Sequence, residues 1–155
     1  MAIEIERKFL VIGEAWRTLA SGIRYCQGYL CREPARTVRI RLAGEQGYLT
    51  IKGATQGITR AEFEYPIPVA EAEALLQLCD RPLIEKIRYR IPQGELVWEV
   101  DEFLGENQGL IVAEVELRSS EQTFVKPDWL GAEVSDDPRY FNAALVTNPY
   151  AQWQM

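Results

Sequence analysis

Apolar and polar residues alternate with a period of two along most of the chain. This pattern predicts β-strands, because successive side chains of a strand point to opposite faces of a sheet. The alternating segments are residues 1–11, 24–30, 37–42, 47–53, 59–67, 84–91, 95–103 and 111–119. Glycine and proline mark turns at 44–47 and 92–94. The pattern therefore predicts about eight antiparallel strands.

Helical signals are few by comparison. The candidate helices are residues 14–20, 70–80 and 137–146. The second is rich in Ala, Leu and Glu and ends before Pro82. In the third, Asp137 can cap the N-terminus and Pro138 suits the first turn. No linker, repeat or low-complexity segment interrupts the pattern, so we predict one α+β, mainly β domain over residues 1–155.

The polar face of the predicted strands carries full charges, with few neutral polar residues. The acids on it are Glu4, Glu6, Glu62, Glu64, Glu99, Asp101, Glu114 and Glu116. The bases are Lys8, Arg39, Arg41, Lys52, Lys86, Arg88, Arg90 and Arg118. Carboxylate pairs and Arg or Lys pairs occupy different strands. The opposite face of each strand is apolar and includes aromatic residues.

Two arrangements are compatible with this segregation of charge. In a β-sandwich, the apolar faces would form the core and the charges would face water, which is the usual place for charged residues. In a closed barrel, the charges would lie inside and the apolar faces would pack outward beneath helices and loops. Interior charges must be paired or must bind a charged ligand. A polyanion accompanied by a divalent metal would satisfy both signs of charge.

Composition limits the function classes. The chain has 155 residues, of which 47% are hydrophobic and 26% charged, as in ordinary folded proteins. The net charge of -6 argues against non-specific nucleic-acid binding, which depends on Lys and Arg. No apolar run is long enough to span a membrane, and the N-terminal residues lack a signal-peptide pattern. We therefore expect a cytoplasmic protein with neither nucleic-acid nor membrane partners.

The absence of histidine narrows the chemistry further. It excludes Ser-His and Cys-His nucleophilic schemes and the usual imidazole acid or base. The three cysteines, Cys26, Cys31 and Cys79, lack zinc-site spacing. Any bound metal would have to be held by carboxylates, which favour Mg²⁺, Mn²⁺ or Ca²⁺.

The charged motifs resemble those of the CYTH superfamily, also called triphosphate tunnel metalloenzymes. Glu4-x-Glu6-x-Lys8 is similar to the ExExK signature of that family. Further matches follow in order: Arg39-x-Arg41, Lys52, Glu62-x-Glu64, Lys86-x-Arg88 and Glu114-x-Glu116. The segment SDDPRYFNAALVTNPY resembles the C-terminal part of the short bacterial members. The similarity spans the whole chain, and the ordered set of motifs is far more specific than ExExK alone.

The resemblance implies a closed eight-stranded antiparallel β-barrel, or tunnel, with a few flanking helices. It implies an enzyme that hydrolyses inorganic tripolyphosphate to diphosphate and phosphate with Mg²⁺ or Mn²⁺. The substrate-binding side chains would be Lys8, Arg39, Arg41, Lys52, Lys86 and Arg88. The metal ligands would be Glu4, Glu6, Glu114 and Glu116. We assign catalytic roles to Lys8, Lys52, Lys86, Glu62 and Glu64.

Several alternatives remain open at this stage. Glu62 and Glu64 either bind metal or hold the Arg and Lys side chains in place. The general base is either a water activated by the metal or a Glu with a raised pKa. Asp101 has the orientation of the charged set without matching a motif, and Arg90 and Arg118 are expected at the surface.

The substrate and the assembly also remain open. Thiamine triphosphatase, nucleoside triphosphatase, class IV adenylate cyclase and a non-catalytic polyphosphate- or nucleotide-binding module are alternatives to the tripolyphosphatase. The cyclase is disfavoured, because its members commonly carry a His-Phe pair before ExExK. Strand alternation suggests Tyr48 as the only aromatic residue pointing inward with the charges, which gives no positive sign of a base pocket. We expect a monomer or a homodimer.

Overall fold

The computed structural model describes residues 2–153, in which nine strands and two short α-helices occur. The strands are β1 (Ile3–Val11), β2 (Gly22–Glu33), β3 (Arg36–Ala43), β4 (Gln46–Gly53), β5 (Thr59–Ile67), β6 (Ile84–Gln93), β7 (Leu96–Phe103), β8 (Ile111–Glu116) and β9 (Leu130–Glu133). The helices are α1 (Val69–Leu76) and α2 (Asn142–Leu145). Short 3₁₀ helices lie at Ala15–Thr18, Gly105–Asn107, Pro138–Tyr140 and Tyr150–Gln152. Met1 of the first predicted strand lies outside the described residues.

Eight of the strands form an antiparallel ring. Their order is β5-β4-β3-β2-β6-β7-β8-β1, and β1 also pairs with β5 through Ile3–Ala61, Glu4–Arg60 and Ile5–Thr59. This last pairing joins the two ends of the sheet, so the predicted eight-stranded barrel is confirmed. The short strand β9 pairs with the later part of β1, beyond the residues that pair with β5.

Hairpins connect neighbouring strands at the predicted turns. Gly44 between β3 and β4 has φ +60°, and Gly94 between β6 and β7 has φ +59°. These positive values favour glycine, because a Cβ atom would crowd the backbone there. The two hairpins fix the register in which Arg39 and Arg41 face the β4 residues, and Arg88 faces Asp101.

The apolar core lies outside the ring, between the sheet and the segments that cover it. One cluster packs Phe9, Trp98 and Val115 beneath Trp16 and Trp129. A second lies between α1 and the sheet, where Ala72 and Leu76 of α1 pack with Ile40 of β3. A third lies beneath the C-terminal segment and includes Ile84, Phe103 and Val112, with Leu145 and Val146 on top. Since the apolar faces are covered from outside, the charged faces are left to line the interior.

The helices are shorter than the sequence predicts. The predicted helix 70–80 is observed as α1, and 14–20 contains only a 3₁₀ turn. The predicted helix 137–146 is divided, because Phe141 has extended backbone angles between Pro138–Tyr140 and α2. Asp137 still accepts a hydrogen bond from the Arg139 backbone N–H, as its capping role requires. None of the helices between residues 2 and 153 is long and apolar enough to cross a membrane.

Candidate active site: a charged tunnel

The interior of the ring is a cavity of about 1070 Å³. All twelve side chains for which we predicted a catalytic, substrate-binding or metal-binding role line it: Glu4, Glu6, Lys8, Arg39, Arg41, Lys52, Glu62, Glu64, Lys86, Arg88, Glu114 and Glu116. They come from six strands but share one face of the sheet. The barrel arrangement, with the charges inside, is therefore correct, and the sandwich is wrong.

A carboxylate cluster forms where β1 and β8 pair. Glu6 lies opposite Glu116 and Lys8 opposite Glu114. Burial, Glu114 and Glu4 raise the pKa of Glu6 well above its usual value. Burial, Glu4 and Glu62 likewise raise the pKa of Glu116. The cluster is therefore short of positive charge.

Lys52 lies between two acidic strands. Its Nζ is 3.0 Å from both carboxylate oxygens of Glu4 and 3.5 Å from Glu62 Oε2. Burial alone would lower the pKa of Lys52, but Glu4, Glu6 and Glu62 raise it above its usual value. Lys52 is thus a charged ammonium that forms ion pairs with Glu4 on β1 and Glu62 on β5.

Arg39 is supported by β4 and β5. Its Nη2 donates to Thr50 Oγ1 at 3.1 Å and to Glu64 Oε2 at 3.3 Å, and Thr50 donates to the same carboxylate at 2.9 Å. Its buried Nε has no hydrogen-bond partner among the described residues. A buried, unpaired N–H on a guanidinium is costly unless an acceptor occupies the cavity.

Arg88 is the most strongly paired cation of the site. It donates to both oxygens of Asp101, at 2.7 and 2.8 Å, and to Glu114 at 3.4 Å. Asp101 is fully buried. Although burial alone would raise the pKa of Asp101, Arg88 and Lys86 hold it below its usual value. Asp101 does not line the cavity, and its role is to orient the two cations.

Lys86 is completely buried. Its Nζ is 2.8 Å from Asp101 Oδ2 and donates to Asn142 Oδ1 at 2.9 Å. Burial lowers the pKa of Lys86 to about 7; Asp101 opposes this effect, while Arg88 and Arg41 add to it. Lys86 is therefore the cation of the site that can most easily change its protonation state near neutral pH.

Arg41 is held by uncharged groups. Gln27 Oε1 accepts from its Nε at 2.9 Å and from its Nη2 at 2.7 Å. The ring of Tyr25 lies 4.9 Å from the Arg41 guanidinium and 5.0 Å from that of Arg88. Burial, followed by Arg39 and Arg88, lowers the pKa of Arg41 to about 9. Among residues 2–153, no carboxylate forms an ion pair with this guanidinium.

The C-terminal segment reaches the tunnel as well. Lys8 Nζ donates to the backbone carbonyl of Tyr140 at 3.0 Å and lies 5.8 Å from the ring of Phe141. Phe141 and Asn142 both line the cavity. The residues around the start of α2 are thus part of the site, although the sequence predicted only a helix here.

The predicted metal ligands are of the right chemical type for a metal site, but their side chains are not arranged around a common point. Four carboxylates and a shortage of positive charge suit a hard divalent cation. Within residues 2–153, however, no group of three or more Cys, Asp or Glu side chains converges on a point that could hold a metal. Glu4 is occupied by Lys52 and Glu114 by Arg88. Metal binding would require these side chains to change partners.

Some side chains differ from the sequence-based expectations. Tyr48 lines the cavity, but Tyr25 and Tyr29 do so too, so the expectation that Tyr48 is the only inward aromatic is wrong. Those two were missed because Gln27, which lies between them on the same strand, carries no charge; the register of β2 with Arg41 and Lys86 could have revealed them. Gln27 and Asn142 were missed because their neutral amides carry no charge signal.

Two arginines were expected at the surface. Arg118 is indeed exposed and pairs with Glu95 outside the tunnel. Arg90 is also largely exposed and pairs with Glu99, but it lies at the rim of the cavity. Trp98 and Trp129 belong to the outer core.

Comparisons with known proteins agree with this architecture. The CYTH domain model matches residues 2–141. An inorganic triphosphatase of Acetivibrio thermocellus is 51% identical over 155 residues, covering 99% of each chain. An inorganic triphosphatase of Nitrosomonas europaea is 38% identical over 153 residues, covering 92% of this chain and 96% of that one. A solved inorganic triphosphatase structure superposes with a TM-score of 0.65 at 34% identity, covering 92% of this chain and 96% of that chain.

Proposed function

Because this chain belongs to the CYTH domain family, we propose that it hydrolyses inorganic tripolyphosphate to diphosphate and phosphate. Two relatives that align with almost its whole length are inorganic triphosphatases. The observation that carries the proposal is the tunnel itself, in which cations from β1, β3, β4 and β6 face one cavity. That cavity is enclosed by the ring and lined with donors for several phosphoryl groups.

The cations that would bind the phosphoryl groups lie on different strands. Arg39 and Arg41 on β3 and Lys86 and Arg88 on β6 offer donors from the two sides of β2. Lys8 contributes from β1 across the ring. Arginines can hold phosphate oxygens with two parallel hydrogen bonds, and lysines contribute compact positive charge. Such a clamp fixes the phosphates in line with an attacking water and stabilises the charge of the transition state.

A divalent ion, Mg²⁺ or Mn²⁺, would be held by Glu4, Glu6, Glu114 and Glu116. When bound, such an ion neutralises negative charge on phosphoryl oxygens and polarises the bond that breaks. The supporting observation is the raised pKa of Glu6 and of Glu116, which marks a local excess of negative charge. Glu62 and Glu64 contact Lys52 and Arg39, so we assign them to positioning these cations.

Lys86 is the candidate for proton transfer. With a pKa lowered to about 7 by burial, it can donate a proton to a leaving phosphate oxygen and recover it from water at neutral pH. Phosphoryl transfer requires little covalent help from the enzyme, so positioning and charge stabilisation account for the remaining catalysis. No histidine or activated nucleophile is needed.

One aromatic residue that lines the tunnel, Tyr25, does not favour an organic triphosphate. Tyr25 is the natural candidate for stacking on a base or a thiazole ring. The guanidinium groups of Arg41 and Arg88 lie close to its ring instead. This observation supports an inorganic substrate over thiamine triphosphate or a nucleotide, and we propose a cytoplasmic enzyme without nucleic-acid or membrane partners.

The test is phosphate release by the purified protein from tripolyphosphate, thiamine triphosphate and ATP, each with Mg²⁺, with Mn²⁺ and with excess chelator. We expect metal-dependent release that is fastest from tripolyphosphate. Faster release from an organic triphosphate would contradict the substrate assignment. No release from any of them, with tight binding of tripolyphosphate, would indicate a binding module; formation of cyclic AMP from ATP would indicate a cyclase.

A further inference from the structure

A chain of uncharged amides joins two of the tunnel cations. Gln27 Oε1 accepts both hydrogen bonds from Arg41, and Gln27 Nε2 donates to Asn142 Oδ1 at 3.2 Å. The same Asn142 oxygen accepts from Lys86 Nζ at 2.9 Å. Arg41 and Lys86 are thus connected through two amides, one on β2 and one at the start of α2.

The position of Gln27 explains why an amide is needed here. In the sheet, β2 lies between β3 and β6, and Gln27 lies opposite Arg41 in the register. Arg41 and Lys86 are like charges on either side of this strand, and both are buried. Lys86 is also held by Asp101 at 2.8 Å, whereas the side-chain hydrogen bonds of Arg41 go to Gln27. A carboxylate in place of Gln27 would neutralise the charge intended for substrate.

We propose that Gln27 and Asn142 are positioning residues that hold Arg41 and Lys86 at a fixed spacing, so that the pair binds neighbouring phosphoryl groups of one polyphosphate. The amides supply acceptors to both cations without removing positive charge. Prior fixation of the cations lowers the entropic cost of binding the anion. Through Asn142, the C-terminal segment becomes a component of the substrate site. This inference rests on the proposed function only for the identity of the polyphosphate.

The test measures binding separately from turnover. Calorimetry with excess chelator gives the dissociation constants of tripolyphosphate and of orthophosphate for the wild type and for Gln27→Met and Asn142→Leu. These substitutions keep side-chain size and remove the amides. We expect each to weaken tripolyphosphate binding about tenfold, the usual order for a lost hydrogen bond to a charged group. Orthophosphate, which needs no fixed spacing, should change less than about twofold on the same grounds.

Two controls separate positioning from a general loss of structure. Gln46→Met and Asn148→Leu make the same replacements at exposed positions and should bind like the wild type. The double variant Gln27→Met with Asn142→Leu should lose little more affinity for tripolyphosphate than the worse single variant. The reason is that the hydrogen-bonded pair of Gln27 and Asn142, here called the bridge, acts as a unit. Thermal melting curves show whether each variant is folded.

The outcomes are distinct. Unchanged tripolyphosphate binding in both variants, equal weakening of both anions, or additive losses in the double variant would overturn the bridge. A wild type that releases phosphate from tripolyphosphate while the variants bind normally leaves the proposed function in place without the bridge. A wild type that binds but does not hydrolyse, with weakened variants, supports the bridge and refutes the hydrolase. A wild type that does not bind tripolyphosphate would overturn both.

Discussion

The two walls of the tunnel are opposites in charge. On β3 and β6, buried cations crowd together, and the pKa of Arg41 falls to about 9 and that of Lys86 to about 7, with burial as the largest cause. On β1 and β8, acids crowd together, and burial and neighbouring carboxylates raise the pKa of Glu6 and Glu116. Although some of these charges are paired, as Arg88 is with Glu114, both walls retain unfavourable charge that the fold does not fully balance.

This difference indicates what the cavity is built to receive. If these charges existed only to stabilise the fold, each would be matched by an opposite charge, as Arg88 on β6 is by Asp101 on β7 and Glu114 on β8. A polyanion would relieve the basic wall, and a divalent cation would relieve the acidic wall. The tunnel stores unfavourable electrostatics that its ligands remove, which is a common feature of binding and catalytic sites.

The largest effect is expected from removing the carboxylate of the buried Arg88–Asp101 ion pair. Asp101→Asn leaves Arg88 and Lys86 buried with less negative charge, and we expect the free energy of unfolding to fall by about 3–5 kcal/mol. Urea denaturation measures the loss. Asp80→Asn removes the partner of Arg32 in an exposed pair and should cost about 1 kcal/mol or less. Equal losses in the two variants would mean that Asp101 does not stabilise the basic wall.

The second test removes one cation from the basic wall. Lys86→Met should lower the rate of tripolyphosphate hydrolysis by about 100- to 1000-fold, the usual range for one donor to a transition-state charge. Its Tm should not fall, since a buried cation with a lowered pKa is removed. Lys126→Met, at an exposed site, is the control. A loss of less than about fivefold would exclude Lys86 from the chemistry.

The third test weakens the acidic wall. Glu116→Gln removes one of the proposed metal ligands, so we expect the Mg²⁺ or Mn²⁺ concentration for half-maximal activity to rise about tenfold, the lower range for losing metal-site interactions. Glu121→Gln, at an exposed position, should leave it unchanged. If both variants require the same metal concentration as the wild type, Glu116 is not a ligand.

The last test concerns the pH dependence of stability. In the folded protein the pKa of Lys86 is lowered from 10.5 to about 7. Between these values the unfolded chain binds a proton that the folded chain lacks, so stability should rise with pH, by at most about 1.4 kcal/mol per pH unit. Thermal melting from pH 7 to 10 would reveal the rise. The slope should be smaller in Lys86→Met, and an identical slope would contradict the assignment.

The fold was largely predictable because each strand has a strict alternation. A period of two assigns every residue to one of two faces, so the charged residues can be placed on one face without knowledge of which strands pair. The sequence did not predict the short strand β9, whose four residues carry no alternating pattern. It also overestimated the helix at 137–146, because the break at Phe141 arises from contacts between the C-terminal segment and the barrel.

The neutral part of the site could not be read in this way. Gln27 looks like an ordinary polar strand residue until its register places it between Arg41 and Lys86. Asn142 is distant in sequence from every tunnel strand and reaches Lys86 only because α2 packs on the ring. Sequence spacing carries no information about such contacts.

The alternation along each strand assigned the charged residues to one face of the sheet, because side-chain direction in a strand is a local property of the backbone. It thereby set the two faces of the sheet, the motifs of the family and the chemistry of the candidate ligands. The choice of the inside face depends on the β1–β5 pairing and on the segments that cover the apolar side. It therefore became clear only from the three-dimensional structure. The three-dimensional structure also decided which charges are compensated, since desolvation and ion pairing arise only when distant strands meet.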